Sequence, residues 1–203
     1  MASPARTPAL QPAPSADQRV FLHHVPWEEY ERLLKVRGED AGPRMTYLEG
    51  ELELMSPSQD HEAIKTLIGR LLEAYALATG VELNGYGSMT MKSRPRARGA
   101  EADECYAVGG AKRRPDIAIE VIWTHGGLDK LEVYRGLKVR EVWLYRRNRL
   151  EIYSLRRNAY IRIPRSEVLP KLDLDQLLRY VGSTNQTDAV RRYLRALKQG
   201  RRR

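Results

Sequence analysis

The segment Asp116-Ile-Ala-Ile-Glu-Val-Ile-Trp123 is the most informative part of this chain. Its nearly continuous apolar residues predict a buried strand. A single acid, Glu120, lies in the middle of that strand. Because a carboxylate is costly to bury unless a cation or a proton compensates it, Glu120 is the first candidate for a functional residue.

The segments around this strand predict an α/β domain. Residues 128–137 favour a helix and residues 139–145 favour a second strand. A strand, a helix and a strand in this order predict a right-handed parallel crossover. Further helices and strands alternate along the chain, so we expect a mixed β-sheet flanked by helices. The clearest of the other segments are a helix after Pro26, a strand pair at 44–48 and 51–55, a long helix at 58–79 and a strand at 101–108.

The spacing of Asp103, Asp116 and Glu120 on the predicted strands decides which of these three acids can act together. Asp116 and Glu120 share a face of one strand but lie about 13 Å apart, too far to share a metal ion. Asp103, on its own predicted strand, can face Glu120 across a strand spacing of about 4.8 Å. Two carboxylates this close repel each other, and a bound Mg²⁺ or Mn²⁺ would relieve the repulsion. Such a metal can activate water for attack on a phosphodiester, assisted by a nearby lysine such as Lys130.

The composition favours one globular domain. The 203 residues suffice for a domain with a core, and 42% hydrophobic with 30% charged residues is an ordinary balance for such a domain. No stretch approaches the roughly 20 apolar residues of a membrane span, and we see no secretory signal. The lone cysteine, Cys105, excludes an internal disulfide and a multi-cysteine zinc site. We therefore expect a cytoplasmic protein with no membrane partner.

The positive charge is concentrated at the C-terminal end. Residues 183–203 hold seven arginines and lysines and one acid, Asp188, so they contribute +6 to the net charge of +9. A basic tail can attract phosphate backbones through counterion release. The alternative is a solvated helix end with a disordered stub.

Several short motifs, in this order and spacing, resemble the Uma-type putative restriction endonuclease family, a branch of the PD-(D/E)XK nuclease superfamily. They span roughly residues 20–180 and are Gly50-Glu51, Ser56-Pro57, His61, Glu101-Ala-Asp-Glu-Cys-Tyr106, Pro115-Asp-Ile-Ala-Ile-Glu-Val121, Asp129-Lys130, Tyr134 and Val139-Arg-Glu-Val-Trp143. The resemblance implies a restriction-endonuclease-like core and hydrolysis of DNA phosphodiester bonds with Mg²⁺ or Mn²⁺. It also implies, by analogy with enzymes that cut both strands, a homodimer.

The resemblance assigns roles to particular residues. Asp103 stands for the first acid of the superfamily and Glu120 for the second, and both would bind the metal. The superfamily's lysine two residues after the second acid is absent, because Ile122 occupies that position. Lys130, on the following helix, is expected to replace it. Glu51 is expected to act as an accessory ligand or to hydrogen-bond the metal-bound water.

Other polar residues have two interpretations each. His61 either caps the long helix or reaches the site, and Asp116 is expected to orient Arg113 or Arg114 rather than to bind metal. The arginines of the loop at 93–99 either contact phosphate or are solvated; they are Arg94, Arg96 and Arg98. Cys105 is expected to be a small core residue.

The sequence divides into three parts. Residues 1–18 are rich in proline and alanine and are predicted to be a disordered arm, residues 19–182 a nuclease-like domain, and residues 183–203 a basic helix and tail. Two alternatives to a DNA nuclease stay open. One is a catalytically inactive nucleic-acid-binding module with the same fold, and the other is a hydrolase of a non-nucleic substrate. RNA in place of DNA also remains open.

Overall fold

The computed structural model describes residues 16–38, 42–123 and 127–200. Its helices and strands, numbered in chain order, are β1 Gln18–Leu22, α1 Trp27–Arg37, β2 Arg44–Leu48, β3 Glu51–Ser56, α2 Gln59–Thr79, β4 Leu83–Gly85, β5 Thr90–Ser93, β6 Arg98–Glu101, β7 Glu104–Val108, β8 Ile117–Val121, α3 Lys130–Leu137, β9 Glu141–Arg146, β10 Arg149–Arg156, β11 Ala159–Ile163, α4 Leu174–Leu178 and α5 Gln186–Gly200. None of these helices has both the length and the apolar character needed to cross a membrane.

The strands form two sheets rather than the single mixed sheet expected from the sequence. A five-stranded antiparallel sheet has the order β1-β3-β2-β6-β5. A six-stranded mixed sheet has the order β11-β10-β9-β8-β7-β4, in which β8 and β9 are parallel and α3 connects them. The prediction of a mixed sheet flanked by helices is confirmed, and so is the parallel pairing of the two strands around α3.

Asp103 lies where the chain passes from one sheet to the other. The predicted strand at 101–108 is broken there: β6 ends at Glu101 in the first sheet, and β7 begins at Glu104 in the second. The prediction that Asp103 belongs to a regular strand was therefore wrong. Residues 101–108 look like one strand in the sequence because the end of β6 and the whole of β7 are both extended, with alternating side chains. Only their pairing with different strands shows that they belong to two sheets.

The long helix α2 covers one face of the mixed sheet. Its start is capped by Ser58, whose side chain accepts a hydrogen bond from the His61 main-chain nitrogen, and it ends at Gly80 in the left-handed conformation (φ 76°). The apolar side chains of α2 pack on those of β8 and β9 and on α5, and this cluster includes Leu67, Leu71, Tyr75, Ile117, Ile119, Val121, Trp143, Tyr145, Ala189 and Tyr193.

Helix α3 covers the opposite face of the same two strands. Asp129 caps its start by accepting from the main-chain nitrogens of Leu131 (3.0 Å) and Glu132 (3.2 Å). Its apolar residues pack against the alternate positions of β8 and β9, in a cluster that includes Val133, Tyr134, Leu137, Ala118, Val142 and Leu144. Glu120 shares the face of Ala118, so strand alternation directs it toward α3.

The two predicted terminal segments, residues 1–18 and 183–203, differ in how much of each belongs to the described structure. Most of the predicted arm, 1–18, lies outside the described residues, but its last part is folded: Gln18 begins β1, and the Asp17 side chain is fully buried. Asp17 was missed because its partners, Ser58 and His61, lie 41 and 44 residues away. At the other end, the predicted basic helix is α5, whose described cationic residues, Arg191, Arg192, Arg195 and Lys198, are all exposed.

The packing of β6 against α1 generates a stability prediction. A methyl group on Gly99 would overlap the ring of Tyr30, which is completely buried and cannot move aside. We expect Gly99→Ala to lower the free energy of unfolding by about 1–3 kcal/mol through overpacking, measured by urea denaturation. The matched control is Gly110→Ala, because nothing lies within 4 Å of a methyl group there. Equal losses in the two variants would contradict this packing.

Candidate active site

A buried cluster of charged side chains lies at the carboxyl end of β8. Asp103 is held beside this end because its Oδ2 accepts a hydrogen bond from the Val121 main-chain nitrogen at 2.6 Å. The β7–β8 ladder pairs Glu104 with Ile119, so the next position along places Asp103 opposite Glu120. Both carboxylates are almost completely shielded from solvent. The structure therefore brings together the two acids predicted to act as a pair.

Two cationic groups compensate Asp103. Arg44, the first residue of β2, donates from Nη1 to Asp103 Oδ1, and His61 Nε2 lies 3.0 Å from Asp103 Oδ2. Burial would raise the pKa of Asp103, but the hydrogen bond from His61 and the charges of His61, Arg44 and Lys130 lower that pKa to about 2. Asp103 is therefore held as a carboxylate.

Lys130 and Tyr134 compensate Glu120 from α3. Lys130 Nζ lies 3.2 Å from Glu120 Oε2 and donates to Thr46 Oγ1 at 2.8 Å, while the Tyr134 hydroxyl donates to Glu120 Oε1. Burial opposes the charge of Lys130, but Glu120, Glu53 and Asp103 outweigh it, so the pKa of Lys130 is raised. Burial and the neighbouring Asp103 raise the pKa of Glu120 despite these two partners. The first turn of α3 thus supplies a lysine to the second acid.

Glu53, rather than the predicted Glu51, is the acid of β3 that lies beside this cluster. The Glu53 side chain is buried, accepts from the Leu128 main-chain nitrogen at 2.8 Å and pairs with Arg19 Nε at 3.1 Å. Glu51 lies two residues nearer the turn, where its partly exposed carboxylate pairs with His23. Both acids share one strand face, so alternation alone could not decide between them. The distinction comes from position: Glu53 lies opposite Thr46 of β2, which accepts the bond from Lys130.

His61 fulfils both of its predicted interpretations. Its main-chain nitrogen belongs to the capped start of α2, and its ring connects Asp103 to Asp17, with 3.0 Å between Nδ1 and Asp17 Oδ2. Burial would lower the pKa of His61, but hydrogen bonds with the two aspartates raise it. Asp17 also accepts from the Ser58 main-chain nitrogen at 2.9 Å, so it joins β1 to the start of α2.

Three other predicted residues lie outside the cluster. Asp116 does not orient Arg113 or Arg114; it accepts from the Val108 main-chain nitrogen at 2.8 Å and pairs with Lys112 at 2.7 Å. Arg98 is neither solvated nor available to phosphate, because it is buried and bonded to Glu49, Glu132 and nearby main-chain oxygens. Cys105 is a core residue, as predicted.

Two cavities are lined by residues of the cluster or by their direct partners. A cavity of about 920 Å³ is lined by Arg44 and Glu62, which pair at 2.5 Å, and by Met89 and Thr90 at the start of β5, among others. A smaller cavity of about 250 Å³ is lined by Lys130, Glu53, Leu144 and Arg146, among others. The second cavity opens on the face of β8 and β9 that carries Glu120.

The carboxylate oxygens of Asp103 and Glu120 are ligands of the kind that a hard divalent cation binds. Across the described ranges, no group of three or more His, Cys, Asp or Glu side chains is arranged to hold a metal ion. Mg²⁺ is commonly bound through one or two carboxylates, with water and substrate phosphates completing its coordination. Asp103 and Glu120 supply two such carboxylates, although both Asp103 oxygens already have protein partners and Glu120 Oε2 contacts Lys130. The donor set therefore fits Mg²⁺ or Mn²⁺, with Arg44 and Lys130 balancing the acids.

Comparisons with known proteins identify a family model and a structural neighbour. The family model described as "Uma2: Putative restriction endonuclease" matches residues 27–183. A solved structure, described as a putative nuclease belonging to DUF820 from Anabaena variabilis ATCC 29413, is similar over 72% of this chain and 96% of its own. Its sequence identity is 12% and its TM-score is 0.49. No curated protein matches the chain.

The ion pair between Lys130 and Glu120 generates the first prediction about the cluster. Lys130→Met leaves a buried carboxylate uncompensated, so we expect the free energy of unfolding to fall by about 3–5 kcal/mol in urea denaturation. Adding Glu120→Gln should restore most of that loss, because the double variant buries no unpaired charge. Lys112→Met is the control: its pair with Asp116 is partly exposed, so about 1 kcal/mol or less is expected. Two additive single losses would show that the pair is not coupled.

The burial of Cys105 generates a second prediction. Its thiol donates to the Gly87 main-chain oxygen, and burial raises the pKa of the Cys105 thiol to about 12. Since only the thiolate reacts, we expect no labelling of the folded protein by a disulfide reagent at pH 8 and complete labelling after unfolding. Val36→Cys in a Cys105→Ala background places a thiol at a position that is 80% exposed and should react at once. Rapid labelling of native Cys105 would show that this core opens readily.

Proposed function

This chain belongs to the Uma2 putative restriction endonuclease family, and from that membership we propose that it is a metal-dependent endonuclease that hydrolyses DNA phosphodiester bonds. The observation that carries the proposal is the contact between Lys130 Nζ and Glu120 Oε2 at 3.2 Å, with Asp103 opposite Glu120. The superfamily's lysine is missing at position 122, and this contact supplies a lysine to the same acid from α3. Two acids and a lysine therefore converge, although the lysine comes from a different element.

The residues of the cluster have distinct roles in this proposal. Asp103 and Glu120 would hold Mg²⁺ or Mn²⁺, and the metal when bound supplies an activated water and stabilises negative charge on the phosphate. Lys130 stays protonated, since its acidic neighbours raise its pKa, and it offers a cation to the developing negative charge of the phosphate. Tyr134 and the Val121 main-chain nitrogen orient the two carboxylates.

Two further residues position this machinery. Thr46 accepts a hydrogen bond from Lys130 Nζ and so holds the ammonium beside Glu120. Glu53 anchors the main chain just before α3 through the Leu128 nitrogen, and its charge supports the protonated Lys130. Partners of this kind typically account for 10–100-fold in metal affinity or activity.

A second candidate is the catalytically inactive nucleic-acid-binding module with the same fold. The observation that favours it is the ion pair between Arg44 and Asp103, because a guanidinium on that carboxylate competes with a metal ion for the same oxygen. We favour the nuclease because Lys130, Glu120 and Asp103 lie together in one buried cluster, with Lys130 Nζ 3.2 Å from Glu120 Oε2. A homodimer that cuts both strands is part of the proposal by analogy.

Plasmid cleavage tests the proposal. We expect the purified protein to nick supercoiled DNA in Mg²⁺ or Mn²⁺ but not in EDTA. Asp103→Asn and Glu120→Gln should each lower the rate by about 100-fold or more, since loss of a ligand costs more than loss of a partner behind it. Circular dichroism checks that both variants are folded. Variants that cut as well as wild type would refute the assignment, and DNA binding without any cleavage would favour the inactive module.

Glu51 and Glu53 provide a matched pair for the same assay. Glu53→Gln is expected to slow cleavage by about tenfold, because it weakens the anchor of α3 and the support of Lys130. Glu51→Gln removes the same charge from the same strand but affects only the partly exposed pair with His23, so its rate should match wild type. A larger effect at Glu51 would restore the role expected from the sequence.

A further inference from the structure

The turn between β9 and β10 concentrates positive charge. It comprises Arg146-Arg147-Asn148-Arg149, and all four residues are exposed. Arg147 and Asn148 both have positive φ, 49° and 58°, the backbone of the tight two-residue turns that connect twisted strands. The turn is therefore a short and defined structure that presents arginines at the edge of the mixed sheet.

The arrangement of these arginines is unfavourable for the protein alone. Arg146 and Arg149 are direct cross-strand partners, and like charges directly opposite each other destabilise a sheet. The nearest acid, Glu151, lies 3.7 Å from Arg146 and is shared with Arg162 at 3.4 Å. Within the described part of the chain, Arg149 forms no ion pair. An anionic ligand would relieve this repulsion.

The turn lies at the site end of the sheet and on the site face. The parallel register pairs Glu120 with Leu144 of β9. Strand alternation places Arg146 on the same face as Leu144, about 6.6 Å further along the strand. Arg146 and Lys130 line the same cavity of about 250 Å³. The cavity that reaches the candidate catalytic lysine is therefore lined by Arg146 of this turn.

A second turn of similar sequence lies at the opposite end of β10. Arg156-Arg157-Asn158-Ala159 repeats the Arg-Arg-Asn of the first turn, but Arg156 faces Ala159 across the strands and pairs with Glu167. Arg149 and Arg156, at the two ends of β10, are seven positions apart along the strand, a distance of about 23 Å. Only the turn at the site end combines opposed arginines with the cavity.

We propose that Arg146, Arg149 and Arg162, named here the arginine strip, bind the phosphates of a DNA duplex next to the bond that is cut. This inference rests on the proposed function, and it adds the surface that holds the substrate. Phosphates follow one another about every 3.4 Å of helix axis along a strand, so Arg146 lies within about two phosphates of Glu120. Arginine suits this role because its guanidinium donates two parallel hydrogen bonds to phosphate oxygens.

Duplex binding in EDTA tests the arginine strip separately from chemistry. The probe is a fluorescein-labelled DNA duplex about two helical turns long, titrated with the full-length protein and followed by anisotropy. We expect the double variant Arg146→Gln/Arg149→Gln to bind the duplex about tenfold or more weakly at 0.1 M salt. The slope of the logarithm of the association constant against the logarithm of the salt concentration should become less steep by about 2. The control, Arg156→Gln with Arg157→Gln, removes the same charge far beyond the roughly 10 Å Debye length and should bind within about twofold of wild type.

The outcomes separate the arginine strip from the nuclease proposal. Loss of binding at the site end alone supports the strip, even if wild type never cleaves DNA. Equal losses in both double variants would show that binding follows net charge and would overturn it. Unchanged binding in the site-end variant, or no duplex binding by wild type, would also overturn it, while metal-dependent cleavage could stand. Tighter binding of an RNA duplex of equal length would overturn DNA as the occupant.

Discussion

The burial of two neighbouring carboxylates, Asp103 and Glu120, is the constraint on which the rest of this structure depends. Each acid is compensated by a cation from a different element, Arg44 from β2 and Lys130 from α3. Leaving one buried partner without the other typically costs several kcal/mol. The first sheet, the mixed sheet and α3 must therefore be assembled together, and the cluster that could bind a metal also joins the two sheets.

Helix and strand periodicity explain how so few residues build the site. Lys130 and Tyr134 are four residues apart, so they lie on one face of α3 and both contact Glu120. Along β9, alternate residues point to the same side, so Leu144 packs in the core while Arg146 continues that face at the cavity mouth. On this face of the mixed sheet, the apolar core is followed by the buried charges of the cluster and then by exposed arginines at the edge.

Much of the fold and part of the site could be predicted from the sequence, because the signals are local. Apolar spacing placed α2 and α3, the turn at Glu49-Gly50 separated β2 from β3, and an acid inside an apolar strand identified Glu120. The resemblance to the family indicated Asp103 and Lys130, and the structure brings both to Glu120. Alternation could not choose between Glu51 and Glu53, since both share one strand face.

Local sequence patterns predicted most of the helices and strands and the buried acid Glu120, since each depends on residues within one or two helical turns or a few strand positions. Tertiary packing was needed to show that two sheets meet at Asp103, that Glu53 rather than Glu51 lies beside the cluster, and that Arg98 is buried. The tertiary structure also showed that Arg44 contacts Asp103 and that Asp17 contacts His61. The reason is physical: these contacts join residues tens of positions apart, and strand register and helix packing, rather than local preference, bring them within hydrogen-bonding distance.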